Sequence, residues 1–288
     1  MISRPRTLLA GAGACVLAFL VLLGLAYGSD WARWVDAASL QGFLGLQGPT
    51  SSPIAWRVAQ FGDPLEVGVI GGVLALIAAA RGRPRTSVFV LVLLAVTSVS
   101  SQLLKALLAY PRHDPELGTT FVRPEAFPSG HATASMALAI ALLVVLPRRL
   151  RPAGALVGAG FTIGVSFSIV ALGWHFPSDV VGGYLLATGW ALVLLAALRA
   201  LQARYPERHL RSRLAARLQT ATERTAAVGL AAALAGLAVF TAVVALALLP
   251  DASGYARDHT AFTAVAGAVG LSAVALLAAM TLASTRRG

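Results

Sequence analysis

Acidic residues are scarce in this chain: 12 Asp and Glu stand against 23 Lys and Arg, a formal net charge of +11 over 288 residues. Charge of either sign is thin, at 12% of residues, while 57% are hydrophobic and the mean hydropathy is +0.76. Soluble domains carry about 25% charge, so a water-soluble globule is excluded and a polytopic membrane protein remains. One cysteine, Cys15, rules out an internal disulfide and any cysteine-rich metal site. It sits within an apolar run that continues well past it, after Ala12–Gly13–Ala14, a poor match to a lipoprotein cleavage site. Cys15 therefore reads as core.

What the chain has in abundance is apolar runs. Eight are long enough to be spans, over residues 8–27, 65–80, 86–108, 130–146, 155–172, 180–198, 226–249 and 262–282. The first follows Arg4 and Arg6 like a signal peptide, but it is long enough to span and is expected to be retained. Of the 23 basic residues, 17 fall in one alternate set of loops and tails, and ten of the 12 acids fall in the other set. That asymmetry is the positive-inside pattern, not a nucleic-acid stripe, and it places both termini in the cytoplasm. The wealth of Ala, Arg and Gly points to a GC-rich bacterial genome, so the expected location is a bacterial cytoplasmic membrane.

Residues 28–64 carry Trp31, Trp34, Phe43 and Trp56 among Gly, Ser and Pro, which predicts a short interfacial helix and a loop. Residues 199–225 place Leu210, Leu214 and Leu218 at four-residue steps between arginines. This predicts a basic amphipathic connector lying on an anionic inner leaflet.

Phe127–Pro128–Ser129–Gly130–His131 opens the fourth span. Proline, a hydroxyl residue and glycine ahead of an apolar run describe a helix N-terminus, whose free N–H groups and dipole attract anions. Five ionisable groups fall at this one depth: Lys105, Arg112, His131, His175 and Asp179. Each alone has an ordinary explanation, since lysines snorkel and loop arginines are solvated. Gathered at one face, beside an anion-ready helix end, they point to a functional site. His175 and Asp179 are four apart, the spacing at which one helical turn stacks two side chains.

Lys105-x6-Arg112, Pro128–Ser129–Gly130–His131 and His175-x3-Asp179 together resemble the three-part signature of the type-2 phosphatidic acid phosphatase superfamily. The resemblance covers roughly the first 200 residues. It implies an all-α, polytopic membrane bundle with a six-helix lipid-phosphatase-like core over 1–198. The connector 199–225 and a transmembrane hairpin with tail over 226–288 follow it. It also implies roles. His175 attacks phosphorus and becomes phosphohistidine, and Asp179 fixes its tautomer. His131 protonates the leaving oxygen and then activates water. Lys105, Arg112 and the N–H groups around Ser129 and Gly130 neutralise the phosphate oxygens. No cofactor or metal is implied, and Lys105 and Arg112 would repel a metal dication between the histidines.

The chain departs from the signature twice. Arg112 is followed by His113 where the family has proline, and Ser168–Ile169 stands where it has Ser-Arg. No arginine lies between Arg151 and Arg199 to take that place, which leaves Arg123, six residues before Ser129, as a candidate replacement cation. The implied function is hydrolysis of a polyprenyl or glycerolipid mono- or diphosphate at the outer face. Its substrate is the lipid phosphate, and its partners are membrane lipids rather than nucleic acid. A non-catalytic lipid-phosphate binder or transport protein derived from the family is the alternative.

Overall fold

The computed structural model describes residues 5–112, 122–205 and 252–285. The described chain is helical, as the composition predicts: α1 (Pro5–Gly28), α2 (Asp30–Leu44), α3 (Ser51–Ala59), α4 (Pro64–Ala80), α5 (Pro84–Leu107), α6 (Gly130–Val145), α7 (Arg151–Ala171), α8 (Pro177–Arg204), α9 (Ala252–Asp258) and α10 (Thr260–Thr285). Short 3-10 turns lie at Gln60–Gly62, Pro124–Ala126 and Arg148–Leu150. The expected seventh span, 226–249, and the connector 199–225 beyond Tyr205 lie outside the described residues; 199–204 continue α8.

Prolines set many of the helix starts. α4, α5, α7 and α8 each carry one in the first turn, where the missing N–H would have had no partner. Among the described residues six helices, α1, α5, α6, α7, α8 and α10, are long and apolar enough to cross a membrane. α4 has 17 residues, about 25 Å of helix. The expected span 65–80 is thus one limb of a bent pair, turned by 54° from α3 and its 3-10 turn. The break has a local cause: Pro64 pushes Asp63 into extended backbone, at φ −72° and ψ 152°.

α6 is the centre of the bundle, with 12 of its 16 residues buried against α4, α5, α7 and α8. Its alanines, on two opposite faces, let neighbours approach closely. Its C-terminal carbonyls are capped by arginines: Arg81 and Arg83 donate to Val145 O at 3.0 Å, and Arg151 Nε donates to Leu146 O at 3.3 Å. The arginine-rich end of the bundle is therefore opposite the N-terminus of α6. Arg151 and Arg199 also donate to Ser284 O and Ala283 O, which fixes the C-terminus of α10 at that same end.

Residues 28–64 form two helices, α2 and α3, rather than one helix and a loop. Trp31 is 71% exposed and Trp56 50%, in keeping with an interfacial setting. Phe43 does not share it. At 2% exposure it packs edge-on against Phe262 of α10, with centroids 4.8 Å apart. The Tyr255 hydroxyl donates to Gly42 O beside it. α10 packs on α2, α6, α7 and α8, so this C-terminal helix braces the element that carries Asp36.

Candidate active site

The turn between α7 and α8 delivers His175. Trp174 N–H donates to Ile169 O at 3.0 Å and Gly173 N–H to Val170 O at 2.9 Å, the two bonds of a Schellman motif. Gly173 has φ +77°, which the motif demands and a side chain would resist. α8 then starts at Phe176, with Pro177 in its first turn. Asp179, three residues in, reaches back to accept the Phe176 N–H through Oδ2 at 2.9 Å. The same oxygen lies 3.4 Å from His175 Nδ1. His175 thus precedes the helix, and Asp179 meets it as a capping carboxylate rather than along a helical stripe. His175 Nε2 remains available.

Arg112 is brought to this cluster and largely spent there. One Nη group donates to Asp179 Oδ1, and the other donates to Ser178 Oγ at 2.9 Å and lies 3.5 Å from Asp36 Oδ2. The guanidinium is flanked by the rings of Phe176 and Tyr27 at 4.8 and 4.9 Å. Burial works against its charge, but Asp179 and Asp36 more than offset that and raise its pKa. Asp36 also accepts the Ser178 N–H at 3.0 Å and the Ser178 hydroxyl, so the N-terminus of α8 already holds an internal anion. Burial pushes the Asp36 carboxyl up to about 6 against the pull of Arg112.

The N-terminus of α6 is different. Ser129 Oγ accepts the Ala132 N–H at 3.3 Å as the N-cap, and Ser129 N–H donates to Asp179 O at 2.9 Å. The Ser129 N–H expected to face phosphate is therefore occupied, and it ties α6 to α8 instead. Gly183 permits that approach: a Cβ there would lie 2.8 Å from Ser129 O and 2.9 Å from Thr133 N. The first-turn donors without a partner among the described residues are the N–H groups of Gly130 and His131. Lys105 Nζ lies 3.8 Å from where a Cβ on Gly130 would stand, adding a cation to this end. The His131 ring faces that of His175 across 6.5 Å between centroids. Its Nε2 lies 3.0 Å from Asp63 Oδ1.

The model of the PAP2 superfamily matches residues 86–203. This part of the chain belongs to the PAP2 superfamily. The matched stretch holds Lys105, Arg112, Ser129, Gly130, His131, His175 and Asp179; Asp36 and Asp63 precede it. A solved structure similar to this chain is that of a transmembrane PAP2 type phosphatidylglycerolphosphate phosphatase from Bacillus subtilis. It is 21% identical, matches 72% of this chain and 100% of its own, and has a TM-score of 0.52, a likeness of fold. Comparison with curated proteins gave no match.

Within the matched stretch Ile169 is fully buried in the apolar core, and its carbonyl serves the Schellman turn. Arg123 is exposed, and the structure does not bring it into the cluster. Among the described residues no three of His, Cys, Asp and Glu form a metal-binding group. Sequence reasoning missed Asp36 and Asp63. Neither has a motif spacing to a site residue, and the only local signal was Asp63–Pro64, an N-cap followed by a helix-starting proline.

Proposed function

We propose that the protein is a phosphatase of lipid phosphates that works through a phosphohistidine on His175. The observation that carries this reading is the buried His175–Asp179 pair, Nδ1 to Oδ2 at 3.4 Å, with the His131 ring opposite. A carboxylate on Nδ1 sets the tautomer that leaves Nε2 as the attacking nitrogen. His175 Nε2 bonds to phosphorus as the P–O bond to the lipid breaks, and the departing oxygen takes a proton from His131. Water, giving a proton back to His131, then releases phosphate from the histidine. Lys105 and the Gly130 and His131 N–H groups stabilise the phosphoryl oxygens.

A lipid substrate is supported by apolar grooves along the bundle. One of about 490 Å³ runs between α1, α5 and α8, lined by residues such as Phe19, Leu103, Leu107 and Trp190. A second, of about 650 Å³, continues between α1 and α5 to Tyr27 and Tyr110 at the Arg112 end. With the arginine-rich end in the cytoplasm by the positive-inside rule, the site opens to the outer face of a bacterial cytoplasmic membrane. Polyprenyl diphosphate, phosphatidic acid and phosphatidylglycerol phosphate all suit this arrangement.

One observation favours a second reading, a non-catalytic lipid-phosphate binder: Ile169 supplies no cation, and Arg112 is engaged by two carboxylates. Phosphate release from purified lipid phosphates, with His175→Ala as control, separates the two. The enzyme loses at least about three decades of rate on that substitution. No release above background by either protein, with substrate still bound, supports the binder.

A further inference from the structure

We infer that Asp63 is a positioning residue for His131, forming a second histidine–carboxylate dyad that faces the His175–Asp179 pair. The inference rests on the phosphoryl-transfer reading above and adds a residue outside the family's matched stretch. Three observations meet at this point.

The first is the contact itself, His131 Nε2 to Asp63 Oδ1 at 3.0 Å. The second is what Asp63 gives up for it. It occupies the N-cap of α4, where an aspartate side chain ordinarily accepts an N–H of the first turn, yet it makes no such bond. Its backbone is held all the same: Asp63 N–H donates to Gln60 O at 2.9 Å, and Asp63 O accepts from Val67 N–H at 3.0 Å. The backbone that carries the carboxylate is thus held on both sides, and the half-exposed carboxylate is turned to the imidazole. The third is Gly62. A Cβ there would lie 2.6 Å from His131 Cδ2, 2.9 Å from Cβ and 3.0 Å from Cγ, so the histidine is seated against bare backbone. The break between α3 and α4, which the apolar pattern alone does not call for, places this seat.

The two dyads have opposite ring polarity. Asp179 holds Nδ1 of His175 and leaves Nε2 for phosphorus; Asp63 holds Nε2 of His131 and leaves Nδ1 for the proton. In the first half-reaction the P–O bond breaks, the P–N bond to His175 forms, and the His131 Nδ1 proton goes to the departing oxygen. Asp63 keeps its bond to Nε2–H throughout. In the second half-reaction water attacks the phosphohistidine and its proton returns to Nδ1. Asp63 itself neither gains nor loses a proton; it stabilises imidazolium and fixes the ring.

The test compares two esters in kcat/KM, which reports only the steps up to phosphohistidine formation. One is phosphatidic acid, whose alkoxide leaving group needs a proton. The other is p-nitrophenyl phosphate, whose phenolate needs little help. For Asp63→Asn the expected loss on phosphatidic acid exceeds the loss on the aryl ester by about tenfold or more. His131→Ala shows the same bias, and adding Asp63→Asn to it costs no further activity. Acid-labile phosphohistidine accumulates in Asp63→Asn with the aryl ester, because its hydrolysis is slowed. Gly62→Ala, which displaces the ring and leaves the carboxylate, repeats the bias toward loss on the alkyl ester. Equal losses on both esters, or additive losses in the double variant, overturn the inference while leaving the phosphatase reading intact. A wild-type protein that releases phosphate from neither ester, or that is indifferent to His175→Ala, overturns the phosphatase reading itself.

Discussion

Asp179→Asn changes one atom at the point where the site and the fold share a residue. The carboxylate is fully buried and accepts from Arg112 through Oδ1, and from the Phe176 N–H and the His175 side through Oδ2. An asparagine offers one oxygen and one NH2 group. With the NH2 toward Arg112, donor meets donor and the buried guanidinium retains Ser178 Oγ and, of its two carboxylates, only Asp36. With the NH2 toward His175, it faces both the Phe176 N–H and Nδ1–H. Each charge-assisted bond lost is worth about 1.5–3 kcal/mol, and disrupting a buried ion pair from one side costs about 3–5 kcal/mol. At roughly 2–4 °C per kcal/mol the melting temperature falls by about 6–20 °C.

The effect on rate is the sharper test. If Asp179 fixes the His175 tautomer, the variant loses about four decades in kcat. Asp36→Asn is the control: it also removes a carboxylate from Arg112 but leaves His175 and Asp179 in contact. It should lower the melting temperature and cost far less than Asp179→Asn in kcat. Both variants are measured in detergent by thermal unfolding and by phosphate release. An Asp179→Asn protein that melts lower yet keeps kcat within about tenfold refutes the tautomer argument and makes Asp179 a purely structural anchor for Arg112.

Three further outcomes are expected. The Asp36 carboxyl, raised from 3.8 to about 6 by burial in α2, outside the spans, binds its proton more tightly folded than unfolded. Its contribution to stability therefore falls as pH rises from about 4 to about 6, by roughly 3 kcal/mol; a melting series across that window, flattened in Asp36→Asn, checks it. Gly183→Ala drives a Cβ into the Ser129 carbonyl and the Thr133 N–H and should cost about 1–3 kcal/mol by overpacking, read as a lower melting temperature with weakened activity. Phe262→Ala unseats α10 from Phe43 and should cost about 2 kcal/mol, read by thermal unfolding; an unchanged melting temperature would show that α10 does not brace α2.

Much of the bundle can be read directly from the residues. Apolar runs, first-turn prolines and the skewed arginines locate the helices and order their ends, because lipid leaves a chain few alternatives. The His175–Asp179 contact was legible for the same local reason, although its capping geometry was not: a four-residue spacing suggests a helical stripe as readily as a carboxylate reaching back over a proline. What escaped was long-range. Asp36 and Asp63 meet Ser178 and His131 across 142 and 68 residues, and no spacing in one sequence encodes such a pairing. Ser129 was misjudged because a helix N-terminus advertises donors without revealing that a neighbouring helix has claimed one. Phe43 reads as an interfacial ring until α10, more than 200 residues away, covers it.

The missing family arginine now takes a different form. A single cation short, the site would lose about 3 kcal/mol of transition-state stabilisation, and the simple remedy is Ile169→Arg. The surroundings of Ile169 argue against that remedy. The side chain is fully buried in the apolar cluster, and its carbonyl closes the turn that presents His175. A guanidinium there must displace packed neighbours, at about 1–3 kcal/mol, and loses its hydration among groups that offer no carboxylate of their own. Asp36 and Asp179, carboxylates of the cluster, already serve Arg112. Ile169→Arg is therefore expected to melt lower without gaining activity, and Arg123→Ala, at an exposed position outside the cluster, to change neither kcat nor KM. A tenfold rise in kcat/KM for the first at an unchanged melting temperature would show that the pocket still accepts the family's cation. A loss for the second would make Arg123 its replacement. With neither, the proposed phosphate site is left with Lys105 and the N–H groups that open α6.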